Sequence, residues 1–372
     1  MKAGKWSIKA IKINICTLKR WILMIFSGIF MLSCTDDYRE IITGENKFLQ
    51  GKGVFIINEG NFGSGNGSLS FLNLDSLVMQ NNIFYSVNKR PLGDVPYSMI
   101  FSNDDIFLVV NNSSKIEVMS RSDLSSKATL TGFTSPRFIL KVSEVKAYIS
   151  DFYSSRIAML NLESGEVSGY IQTGRSSENM VLAGGKVFVA FWSNYAFPEL
   201  INNMVMIIDP VTDQLIDSVQ VGKEPNSMVV DKNGRVWVLC SGGFLNKETP
   251  AFHCIDPVTL DTEHILYFSE IKSYPTSLCI NGNGDSLFYL NRGVFGLSVD
   301  AGELPDQPLI SQDGRLFYSL GINPVTSELF VTDAVDYQQQ GRVLHFSATG
   351  QLKNTYSAGI IPGRLVFSVG PD

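Results

Sequence analysis

Pro225-Asn226-Ser227-Met228-Val229, then Asp231-Lys232-Asn233-Gly234, then Val236–Cys240, and later Ile255-Asp256-Pro257-Val258-Thr259, is the stretch that decides the fold. It reads as a short apolar strand, a polar turn, a second strand, and a turn that leads into a more polar strand. Gly, Asn, Asp and Pro placed between short β-branched runs are strand-and-turn chemistry. The opening phrase recurs as Pro96-Tyr97-Ser98-Met99-Ile100, Pro136-Arg137-Phe138-Ile139, Pro275-Thr276-Ser277-Leu278 and Pro362-Gly363-Arg364-Leu365-Val366. Looser copies stand at Ser177-Glu178-Asn179-Met180-Val181 and Phe317-Tyr318-Ser319-Leu320. The first residues of the seven copies, 96, 136, 177, 225, 275, 317 and 362, lie 40, 41, 48, 50, 42 and 45 residues apart. That is the period of a four-stranded propeller blade.

Working outward, the two ends of the repeat region complete each other. Gly53–Asn58 and Gly67–Asn73 supply later strands of a blade without its opening phrase, while Pro362–Val369 is an opening phrase without the rest. Joined, they close a ring and hide the edges that an open stack would leave unpaired. The expected fold is all-β: a seven-bladed β-propeller over residues 51–372, closed by strands from both termini. The competitor is eight blades with one degenerate copy inside the longer spacings. No helical period of useful length follows residue 45.

The first 33 residues stand apart from this fold. Lys2, Lys5, Lys9, Lys12, Lys19 and Arg20 precede an apolar run from Trp21 to Leu32, and Ser33-Cys34 follows. A basic leader, a short apolar segment and a small residue before the cut describe a secretory signal. The run is too short to span a bilayer, which takes about 20 residues. With Cys34 after the small residue, residues 1–33 resemble a bacterial lipoprotein signal, which implies acylation of Cys34 and a linker over 34–50. Met31 stands where such signals usually carry Leu, and an uncleaved anchor is the alternative. Thr35-Asp36-Asp37-Tyr38 resembles the acidic surface-export signal of Bacteroidetes lipoproteins, with an ordinary solvated linker as the alternative. The resemblance implies an outer-membrane lipid anchor and a cell-surface position.

Charge and cysteine usage narrow the function classes. Of 30 Lys and Arg, six fall in the leader, so 24 face 36 Asp and Glu in the remainder, a net charge near −12. Such a chain without basic runs lacks the footprint of a nucleic-acid binder. Beyond Cys34 only Cys240, Cys254 and Cys279 occur, without metal-ligand spacing, so buried free thiols are expected rather than a disulfide framework.

Catalytic chemistry is poorly represented. The three histidines, His253, His264 and His345, fall in expected strands, where packing or surface roles are commoner than ligation. Gly63-Ser64-Gly65-Asn66-Gly67 lacks the Lys-Ser/Thr of a phosphate loop and leads into a strand, so it reads as a flexible connection. No catalytic residue, metal site or cofactor is expected, and the chain reads as a binding protein, not an enzyme. Binding residues are sought on the propeller face where loops enter the innermost strands and join the second to the third. The residue after each anchor forms an inner ring: Tyr97, Arg137, Glu178, Asn226, Thr276, Tyr318 and Gly363. Aromatic residues form an outer set: Phe62, Tyr153, Trp192, Tyr195, Phe197, Phe244, Phe295 and Tyr337. Amphipathic rings suit stacking on a ligand; the alternative is small satellite cores beneath their own loops.

The anchors, with Gly234-Arg235-Val236-Trp237-Val238 and Ile255-Asp256-Pro257-Val258-Thr259, resemble the YncE/YVTN seven-bladed propellers. Val54-Phe55-Ile56-Ile57-Asn58-Glu59-Gly60-Asn61-Phe62-Gly63 with Gly67-Ser68-Leu69-Ser70 is similar to Bacteroidetes surface lipoproteins of the BtuG-like group. That resemblance implies capture of a scarce small-molecule nutrient, cobalamin or another corrinoid, for a TonB-dependent outer-membrane transporter. Siderophore or haem capture and a protein-binding or adhesion scaffold are the alternatives. Carboxylates or histidines converging in the central opening would point instead to a hydrolase or lyase.

Overall fold

The computed structural model describes residues 52–191, 202–243 and 248–368. Seven antiparallel four-stranded sheets make a seven-bladed β-propeller. The innermost strands are Pro96–Ser102, Pro136–Lys141, Met180–Ala183, Pro225–Val230, Thr276–Ile280, Phe317–Ile322 and Pro362–Ser368. Each begins at or just after one of the repeated phrases. The last of them pairs antiparallel with Gly53–Asn58, in a register that sets Gly53 opposite Ser368 and Val54 opposite Phe367. The shared blade then continues outward through Ser68–Asn73 and Val78–Gln80. Its following connection holds one feature absent from the sequence reading, a six-residue helix, Ile83–Asn88, that buries Ile83 and Phe84.

The core lies between blades. Its seven clusters each join one blade to the next, and the last joins Val54, Ile56 and Leu72 to Phe330, Val343 and Ala358. Along Val54-Phe55-Ile56-Ile57, Val54 and Ile56 face one neighbour while Phe55 and Ile57 face the other. Side chains alternate across a strand, so a sheet packed on both faces needs an unbroken apolar run. His253, His264 and His345 lie in strands, and Cys240, Cys254 and Cys279 are free thiols. Burial pushes Cys254 and Cys279 up to about 12.

A fixed set of hydrogen bonds explains the repeated phrase. The third anchor residue accepts from the backbone N–H of the fourth residue in the next anchor. Ser98 Oγ accepts from Ile139, Asn179 Oδ1 from Met228, and Ser227 Oγ from Leu278, at 3.2, 2.9 and 3.1 Å. A second set ties the residue after the second strand to the residue before the anchor. Glu59, Asn111, Phe152, Ser241 and Ala334 donate their N–H to the carbonyls of Ile361, Val95, Ser135, Glu224 and Leu316. Val95, Glu224 and Ile361 have φ of 52, 56 and 52°, an unfavourable region for β-branched side chains. Because Glu224 shares it, this conformation belongs to blade geometry and not to one site.

Candidate functional site

At the start of most innermost strands the pairing slips, and the slip aims a side chain. Register shifts fall between Pro96 and Ser98, Pro136 and Ile139, Pro225 and Ser227, and Phe317 and Ser319. A β-bulge leaves its extra residue out of the ladder and redirects its side chain. Tyr97, Arg137, Asn226 and Tyr318 occupy these positions. Because each anchor pairs with the end of the second strand, as Pro96 does with Val110, both loop sets emerge on one face.

Four elements deliver charged groups to this ring. Arg137 donates from Nε to Glu178 Oε1 at 2.8 Å and from Nη2 to the Tyr97 hydroxyl at 2.7 Å. Arg364 donates from Nη2 to the same hydroxyl at 2.9 Å. Both guanidinium groups lie over the Tyr97 ring, 3.6 and 4.7 Å from its centre. Phe138 meets Tyr97 edge-on at 5.3 Å and carries Arg364 over its own face at 4.8 Å. On the other flank the Tyr318 hydroxyl donates to Glu59 Oε2 at 3.0 Å. Gly363 is glycine for a local reason, since a Cβ there would lie 2.2 Å from Glu59 Oε1.

The electrostatics follow from burial. Burial pushes the Glu59 carboxyl above its ordinary range, and Arg364, the Tyr318 hydrogen bond and Arg137 offset this only in part. Glu178, whose side chain is 1 % exposed, is raised for the same reason despite Arg137 and Arg364. For Arg137 burial is the largest single influence and works against the charge, but Glu178, Tyr97 and Glu59 together outweigh it and the guanidinium stays charged. Two guanidinium groups and two carboxyl groups therefore share one small volume. Its hydrogen bonding is incomplete: among the described residues, Glu178 Oε2 and Arg364 Nε are buried without a partner.

The family described as a domain of unknown function (DUF5074) matches residues 52–359. The chain belongs to the DUF5074 family. No curated protein matches it. Among solved structures, this DUF5074 propeller is similar to a quinoprotein alcohol dehydrogenase-like protein from Bacteroides thetaiotaomicron, at 15% identity and a TM-score of 0.67 over 85% of this chain and 78% of that one. It is also similar to the periplasmic gluconolactonase of Pseudomonas aeruginosa, at 14% identity and a TM-score of 0.64 over 86% and 100% of the two chains. Hydrazine synthase of Kuenenia stuttgartiensis matches at 12% identity and a TM-score of 0.52, over 68% and 76%. At these identities the likeness is one of fold.

Within the DUF5074 domain, Tyr97, Arg137, Glu178 and Tyr318 come together as the spacing places them. Asn226 goes elsewhere: its amide donates to Pro275 O of the next blade and its carbonyl accepts from Ser227. Of the outer aromatics, Phe62, Tyr153 and Tyr337 are exposed. Tyr337 meets the Tyr318 ring at 5.9 Å, and Tyr153 packs on Phe152, which lies 5.4 Å from the Arg137 guanidinium. Phe295 corrects the sequence reading: it sits in the strand Gly293–Ser298, stacked on Tyr289 in an interblade core. Trp192, Tyr195, Phe197, Phe244 and the lipidation residue Cys34 lie outside the described residues. Among the described residues no cluster of His, Cys, Asp or Glu suits a metal ion, and no helix is long and apolar enough to cross a membrane.

The sequence reading missed Glu59, Phe152, Phe138 and Arg364, and two signals mark them. Glu59 and Phe152 occupy the position after the second strand, tied by backbone to the residue before an anchor. Phe138 and Arg364 stand where other anchors carry the small polar residue that staples the next blade. A departure from the repeat at a structural position frees that side chain for the ring.

Proposed function

We propose that this chain is a cell-surface lipoprotein that captures a scarce small-molecule nutrient on the ring face for a TonB-dependent outer-membrane transporter, without a covalent step. The observation that carries the reading is the pairing of an under-bonded charged ring with exposed aromatics around it. Phe62, Tyr153 and Tyr337 offer flat apolar surface, and the ring beneath offers hydrogen bonds that the fold itself leaves open. Cobalamin or another corrinoid is the first ligand to test, from the resemblance of Val54–Gly63 to the BtuG-like group. The leader and Cys34 support the anchoring half of the proposal.

Calorimetric titration of the full-length chain with corrinoids, ferric siderophores, haem and glycans tests the reading. One-to-one binding of one class is the expected result, and no binding to any of them counts against capture. A second reading, a hydrolase or lyase, is favoured by two buried carboxyl groups, Glu59 and Glu178, that both feel Arg137 and Arg364. Burial holds both toward the protonated state that general acid catalysis needs. Recovery of the bound ligand chemically unchanged supports capture, whereas a modified product supports the enzyme.

A further inference from the structure

Arg137 and Arg364 are two like charges held against one phenol, and among the described residues neither has its donors filled. A guanidinium carries five N–H donors. Arg137 uses Nε on Glu178 and Nη2 on Tyr97, while Arg364 uses Nη2 on Tyr97 and leaves a buried Nε without an acceptor. Arg235 shows what a structural arginine looks like in the same chain. Its Nε meets Asp231 at 2.7 Å, its Nη2 meets Val299 O at 3.2 Å, and Glu263 and Asp300 stand at 3.8 and 3.6 Å. The Tyr97 hydroxyl accepts from both ring arginines, so its own proton is the next available donor. Among the described residues, the open positions beside Tyr97 are donors, Glu178 Oε2 excepted.

We infer that Arg137 and Arg364, gathered on Tyr97, seat one anionic group of the ligand, a carboxylate or a phosphate ester. This rests on the reading that the ring face binds a ligand, and it names the chemistry of the group at its centre. Paired planar guanidinium groups present N–H forks that match both kinds of anion. The side chains that face the seat are Tyr97, Arg137, Glu178 and Arg364, with Glu59 and Tyr318 on the far flank. With both carboxylates ionised the four charges cancel, and an added anion makes the site net negative. Burial already pushes Glu59 and Glu178 upward, so one of them takes up a proton as the anion enters. Anion affinity therefore rises as pH falls.

Calorimetry of the full-length chain with sodium acetate, inorganic phosphate and, as a cation control, choline chloride at matched ionic strength tests the seat. Saturable binding of acetate identifies a carboxylate seat and of phosphate a phosphate seat, with affinity greater at lower pH. Arg364→Gln is expected to lower that affinity at least about tenfold, which corresponds to ~1.4 kcal/mol. Tyr97→Phe, which keeps the ring but loses the shared hydroxyl, is expected to weaken it in the same direction and serves if Arg364→Gln misfolds. Neither anion binding to the wild type, or unchanged affinity in both variants, would overturn the seat. If the anions fail while a neutral ligand still binds, the capture face survives without its anion seat. If nothing binds, both inferences fall.

Discussion

Two innermost strands with the same opening residue behave differently. In Pro225–Val230 the side chains after the proline are bonded to fixed backbone: Asn226 to Pro275 O, and Ser227 to the Leu278 N–H. In Pro362–Ser368 the corresponding residues are Gly363, which makes room for Glu59, and Arg364, which reaches Tyr97 and keeps a buried Nε unpaired. One strand uses its polar groups to hold the ring of blades together. The other leaves part of its bonding capacity open at the centre. Buried polar groups are almost always paired; others are left over elsewhere, His253 Nδ1 among them, and Arg364 Nε is set apart by its place beside Arg137 over the Tyr97 ring.

The widest test of this contrast removes one strand entirely. Ending the chain after Ile361 deletes the innermost strand of the shared blade and bares the edge of Gly53–Asn58. Loss of closure should abolish cooperative unfolding and cause aggregation, as seen by urea denaturation and light scattering. A soluble product with an unchanged melting curve would mean that the ring does not depend on closure by both termini.

Single substitutions separate the scaffold from the ring. Arg137→Ala leaves Glu178 buried without its ion-pair partner, and breaking a buried pair costs about 3–5 kcal/mol. Because Glu178 can neutralise itself by taking up a proton, that loss should shrink in acid. Ser227→Ala removes the acceptor for the Leu278 N–H, an unpaired buried donor worth about 1–3 kcal/mol, with no dependence on pH and no effect on ligand affinity. Urea midpoints measured at acidic and neutral pH separate the two, and equal pH dependence would erase the distinction.

The smallest expected effects are opposite slopes of stability with pH. Glu178 is raised in the folded chain, so the folded state keeps a proton that the unfolded chain has released. Its contribution is present below the ordinary carboxyl value and is lost as pH rises through the folded one. His253 behaves the other way. Burial holds its imidazole down from 6.5 to about 4, and its Nε2 accepts from the Gly222 N–H. Between those values the unfolded chain binds the proton, so stability falls as pH falls. Glu178→Gln should flatten the loss on the alkaline side and His253→Gln the loss on the acid side. Identical pH profiles for the wild type and both variants would show that neither group titrates as its surroundings require.

The sequence carried the fold because propeller chemistry repeats. Proline, a small polar residue and a β-branched run recur wherever a strand must start, bulge and staple its neighbour. The same periodicity located Tyr97, Arg137, Glu178 and Tyr318, since each follows the first residue of its copy at the strand entrance, where most copies bulge. It misplaced Asn226 and Phe295, because position in a repeat says where a side chain begins and not which partner it finds. Asn226 found a carbonyl one blade away, and Phe295 found the Tyr289 ring. Glu59 and Arg364 were hidden for a further reason: the blade they belong to is assembled from segments some 300 residues apart. Their meeting is a consequence of closure.

Cyanocobalamin titrated calorimetrically into the wild type, Arg364→Gln and Asn226→Ala, each with a parallel urea melt, tests capture and its site together. The wild type is expected to bind one molecule. Arg364→Gln should lose about tenfold or more in affinity, and its unfolding midpoint should fall less than that of Asn226→Ala, since its one side-chain bond, to Tyr97, is a bond the amide can replace while its Nε supports none. Asn226→Ala should bind like the wild type and unfold earlier. The reverse pattern, with affinity following Asn226 and stability following Arg364, would contradict the division between scaffold and site. No binding by any of the three would contradict the corrinoid assignment itself.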